Sequence, residues 1–108
     1  MTDGTGEVSP HTFISVEEIK TAFQPPARFR VSPNLYQPGT SFPGTGREHQ
    51  VILLGGTVEI VIDGRTTTIG EGHRAVIPAG TYWLTVKGDL PCSLVNVFDL
   101  DAIRSGIV

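Results

Sequence analysis

The sequence predicts an all-β domain, a sandwich or barrel with one short helix before it and a helical turn after it. Three observations carry this. From Ala27 onward, segments rich in Val, Ile, Thr and aromatic residues recur every eight to twelve positions, with apolar and polar residues alternating. Thirteen Gly and eight Pro are spread along the 108 residues instead of clustering, so they punctuate short elements. Asp63-Gly64, between two β-rich runs, is a strong hairpin signal. A chain of this length supports one modest core and no second domain.

The elements follow in order. Residues 1–12 are small and polar and are expected to form a flexible tail, leaving 13–108 as a single barrel domain. Ser15 followed by Glu18 is a capping-box pattern, with Ile19 and Phe23 four apart on one face, and Gln24-Pro25-Pro26 stops the helix. Strands are then expected over Arg28–Val31 and Asn34–Tyr36, closed by Pro38-Gly39, and over His49–Leu54, ended by Gly55-Gly56. Thr57–Ile62 turns through Asp63-Gly64 into Arg65–Ile69. Arg74–Ile77, Tyr82–Val86 and Cys92–Phe98 complete the set, and Asp99 is positioned to cap a turn ending near Arg104.

Composition narrows the function classes. Eight basic residues against 11 acidic ones give a net charge of -3, with no basic run and no interleaved aromatics, so nucleic acid is not an expected partner. Cys92 is the single cysteine and excludes an internal disulfide. The first residues lack the basic and apolar regions of a secretion signal, and no apolar run approaches a membrane span. A cytoplasmic protein with no membrane partner is the expectation. Val51–Leu54 is apolar on both faces, so its outer face needs a cover. Either a second subunit, making a homodimer, or the chain's own N-terminal segment supplies it.

The spacing Gly72-x5-Pro78-x-Gly80-x2-Trp83 resembles the second signature of the cupin family. His49-x6-Gly56 resembles the second half of the first signature, and Pro38-Gly39 the turn that opens it. The resemblance covers roughly residues 28 to 98 and implies a double-stranded β-helix, or jelly-roll barrel, with an internal pocket and usually a dimer. It also implies a metal held by a His-x-His pair, a Glu and a further His. Here the pair would fall within Phe42–Arg47, which has no His; His49 stands at the Glu position and Trp83 at that of the last His. Too few donors remain for a transition metal, so no metal and no cofactor are expected.

The candidate site residues follow from that layout. His49 and Tyr36 are the candidate catalytic residues: His49 takes the position of a family ligand, and its imidazole suits acid–base work, though a core histidine with one hydrogen bond is the alternative. Tyr36 lies on a strand that the resemblance places along the pocket. Phe42, Arg47, Trp83 and Asn96 are the candidate ligand-binding residues. Arg47 suits a carboxylate or phosphate at the barrel mouth, Trp83 either stacks on a ligand or fills the missing metal's space, and Asn96 either orients a ligand or bonds neighbouring backbone. Tyr82, of opposite parity to Trp83, is expected to face outward. The functional expectation is metal-independent acid–base catalysis on a small carbonyl compound, of isomerase, epimerase, cyclase or dehydratase type. A non-catalytic small-molecule-binding module and a metal enzyme with unusual ligands are the alternatives.

Overall fold

The computed structural model describes residues 7–101. Among these residues nine strands and one complete helix run in the order β1 (Val8–Pro10), α1 (Val16–Ala22), β2 (Phe29–Tyr36), β3 (Ser41–Gly46), β4 (His49–Gly55), β5 (Thr57–Ile62), β6 (Arg65–Gly70), β7 (His73–Ile77), β8 (Gly80–Lys87) and β9 (Cys92–Asp99). They form two antiparallel sheets, one ordered β1-β7-β4-β9-β2 and the other β3-β8-β5-β6. This is the expected jelly-roll arrangement. No helix among the described residues is long and apolar enough to cross a membrane.

Period-two alternation decides what each strand contributes. Val51 and Leu53 of β4, Val58 and Ile60 of β5, Ile69 of β6, Ala75 and Ile77 of β7, Leu84 and Val86 of β8 and Cys92 and Leu94 of β9 meet between the sheets as the main core. The opposite faces of β4 and β9 carry Ile52, Val95 and Val97, which pack with Ile19 of α1 in a second cluster flanked by Phe13, Val16, Phe23, Phe29 and Val31. The cover that Val51–Leu54 requires therefore comes from the chain's own N-terminal segment. The apolar argument for a second subunit falls away.

Local chemistry sets the boundaries. Ser15 caps α1 by accepting from the Glu18 N–H, and the Glu18 carboxylate accepts from the Ile14 N–H, so the capping box closes one residue earlier than its usual form. Asp63 and Gly64 have φ of 50° and 77°, the left-handed pair that a two-residue type I′ hairpin requires.

Three expectations are corrected. Residues 8–10, assigned to the flexible tail, form β1 against β7, and the His11 ring Nε2–H donates to the Leu53 carbonyl at 2.8 Å. The two strands expected before Pro38 are one, because Pro33 sits in β2, an edge strand whose outward N–H groups have no neighbour to bond. Between Pro38-Gly39 and His49, where no strand is expected, Ser41–Gly46 form β3 and pair with β8. The C-terminal turn begins at Leu100 and Asp101, where the Asp101 N–H donates to the Asp99 carboxylate, but its remainder lies outside the described residues.

Candidate functional site

The inward face of β2 is polar over three successive inward positions. Phe29 and Val31 turn outward to the helix cluster, so Arg30, Ser32 and Asn34 turn inward, in line with Tyr36. On β9 the same alternation sends Val95 and Val97 outward and Asn96 and Phe98 inward. Strand pairing sets Ser32 opposite Asn96 and Arg30 opposite Phe98. With Arg47 from the β3–β4 turn, Asn34 and Leu100, these residues line a cleft of about 430 Å³. That volume lies within the roughly 300–1,000 Å³ common for small-molecule sites.

The cleft is rich in hydrogen-bonding groups without protein partners. Asn34 donates from its amide to the Ser32 carbonyl at 3.1 Å. Among the described residues, the side chains of Arg30, Ser32, Arg47 and Asn96 make no hydrogen bond or ion pair, and no buried side-chain nitrogen or oxygen is left unsatisfied. Their polar atoms therefore face open space and solvent. The contrast with Arg28 is direct: its guanidinium bonds both Asp99 oxygens, at 3.2 and 3.1 Å, and lies 3.8 Å from Asp101. The carboxylates beside it raise its pKa further. Among the described residues, no acidic side chain lines the cleft itself.

His49 faces inward, as expected, but stands behind the cleft wall. It is 7% exposed and its ring stacks on Phe98 with centroids 4.9 Å apart and planes at 25°. Its Nδ1–H donates to the Arg47 carbonyl at 2.9 Å, so in the neutral ring Nε2 is the atom with the lone pair. Tyr82 lies on its other flank, with ring centroids 6.2 Å apart.

Tyr36 and Phe42 meet each other at 5.1 Å and pack on the main core instead of lining the cleft. Burial pushes the Tyr36 hydroxyl pKa up, with smaller contributions from Tyr82 and Cys92, and burial likewise raises that of Tyr82. The Cys92 thiol, fully buried, is pushed up to about 11. It is a core residue, not a nucleophile.

Trp83 and Tyr82 exchange places relative to expectation. Leu84 and Val86 point inward, so parity turns Tyr82 inward with them and Trp83 outward. Trp83 is 48% exposed, and its indole N–H donates to the Ser41 hydroxyl on the outer surface. The alternation of Leu84 and Val86 with Thr85 and Lys87 was the signal for this, and the signature spacing overrode it. The missed residues Arg30, Ser32 and Asn34 alternate just as clearly once Pro33 is allowed within the strand.

The metal that the resemblance implies does not fit these residues. Trp83 faces away, His49 is hydrogen-bonded to backbone and stacked, and among the described residues no group of three or more His, Cys, Asp or Glu side chains converges.

No family model matches the chain, and no curated protein matches it. Solved structures do. The protein NMB1881 from Neisseria meningitidis is 18% identical with a TM-score of 0.60, over 82% of this chain and 99% of that one. The cupin domain of Cnp3 from Schizosaccharomyces pombe is 17% identical with a TM-score of 0.63, over 80% of this chain and 68% of that one. Salicylate 1,2-dioxygenase from Pseudaminobacter salicylatoxidans is 18% identical with a TM-score of 0.59, over 72% of this chain and only 23% of that one. These likenesses and the two-sheet topology establish that the chain has a cupin-like fold.

Proposed function

We propose that this chain is a small-molecule-binding module whose ligand lies in the cleft between β2, β9 and the β3–β4 turn. The observation that carries this is the set of unpartnered polar side chains, Arg30, Ser32, Arg47 and Asn96, around an open cleft beside the apolar Phe98. Ser32 and Asn96 are half-buried and Arg30 and Arg47 lie exposed at the rim, so a ligand in the cleft meets hydrogen-bonding groups at its floor and its mouth. Soaking crystals with a collection of small polar fragments tests the reading. Fragments are expected between Asn96, Phe98 and Arg47; fragments found repeatedly elsewhere and never there would overturn it.

A second reading, acid–base catalysis on a small carbonyl compound, is favoured by one feature. The Nδ1 bond to Arg47 holds the His49 ring in a fixed orientation and leaves Nε2 to exchange a proton. Phe98 stands between that ring and the cleft, so catalysis requires the phenyl ring to turn aside. Deuterium uptake from heavy water at the carbon beside the carbonyl of a bound keto acid, abolished in His49→Gln, would support this reading. Binding without exchange leaves the module reading alone.

A further inference from the structure

We infer that the ligand of this cleft is a small organic anion, anchored through its acid group by Arg30 and Arg47. The inference rests on the cleft being a ligand site and goes further in naming the chemical class. The chain as a whole is acidic, at net charge -3, yet among the described residues the cleft lining has two guanidinium groups and no carboxylate. Both guanidinium groups are exposed at the rim of the cleft, where together they give it a local positive character that an anion complements.

The two arginines are also uncommitted. Arg28, two residues before Arg30 and at the end of the same strand pair, is occupied by Asp99 and Asp101. Arg30 and Arg47 have no such partner among the described residues. A guanidinium presents parallel N–H donors in a plane, which match the two oxygens of a carboxylate or two of a phosphate. The other lining groups suit the remainder of such a molecule. Phe98 and Leu100 offer apolar surface to a carbon skeleton, while Ser32 and Asn96 donate to or accept from a hydroxyl or carbonyl on it.

Matched acid–amide pairs test this. Titration calorimetry of the whole chain with benzoate, succinate and phenyl phosphate, against benzamide and succinamide, reads the anion's contribution directly. At least one acid is expected to bind about tenfold or more tightly than its neutral partner, and the better headgroup tells carboxylate from phosphate. Arg30→Gln and Arg47→Gln are each expected to weaken the acid by about tenfold and leave the amide unchanged. Raised salt should weaken the acid only. The inference is overturned if amides bind in the cleft as well as the acids do, or if the arginine variants bind acids unaltered; the cleft then remains a ligand site for neutral molecules. If neither acids nor amides bind, the ligand-site reading falls together with the inference. Circular dichroism of both variants confirms that each is folded.

Discussion

Gly44 stands directly opposite Tyr82 in the β3–β8 pairing, and the phenol ring lies where a side chain at position 44 would begin. The absence of a side chain on β3 thus lets Tyr82 lie across the barrel interior and reach the flank of His49. Gly44→Ala should destabilise the fold by about 1–3 kcal/mol, the usual result of forcing extra volume into a packed interior. Urea denaturation reads the effect. In a Tyr82→Leu background the same substitution should cost much less, because contacting residues are not additive. Equal costs in both backgrounds would show that the ring is not the obstacle.

The outer face of the larger sheet depends on α1. Ile19 is fully buried there against Ile52, Val95 and Val97. Ile19→Ala should therefore destabilise by about 2–5 kcal/mol, as for other large-to-small core changes. A thermal midpoint that stays put would mean that the helix is not the cover the β4 and β9 side chains require.

Much of this architecture was legible in the sequence, and the lapses share a cause. The Asp63-Gly64 hairpin and the Ser15 cap follow from short-range rules that the fold obeys. Strand β5 runs over Thr57–Ile62 as expected. What was misread depends on tertiary context. Pro33 reads as a break unless β2 is known to be an edge strand, and β1 has a reason to form only once β7 is beside it. Trp83 was set by signature spacing, while the alternation of Leu84 and Val86 turned Tyr82 inward instead. The polar inner face of Arg30, Ser32 and Asn34 was hidden by the same Pro33.

The position of Trp83 has a spectroscopic consequence. As the sole tryptophan, and 48% exposed, it should emit at long wavelength and be quenched readily by acrylamide in the folded state. A blue-shifted, protected emission would return Trp83 to the interior. Ser41→Ala, which removes the hydroxyl accepting from its indole N–H, should raise the ring's mobility and lower fluorescence anisotropy.

Alkaline stability follows from the buried thiol. An unfolded Cys ionises near 9.0, whereas Cys92 in the fold is raised to about 11 by burial. Between these values the unfolded chain has lost a proton that the folded chain retains, so stability falls as pH rises through the window and is unaffected below it. Tyr36 and Tyr82 are raised in the same direction above their ordinary 10.0 and steepen the fall at its upper end. Urea midpoints from about pH 8 to 11 should decline, and less steeply in Cys92→Ala. An identical slope in that variant would place the titration elsewhere.

The central claim, that ligands enter the interior cleft and not the outer face, is tested most directly by ¹H–¹⁵N NMR of the labelled chain titrated with benzoate and succinate. The side-chain amides of Asn34 and Asn96 and the backbone amides of Arg30 and Phe98 should shift together and saturate, while the Trp83 indole signal stays still. A moving indole with silent asparagines would contradict the account.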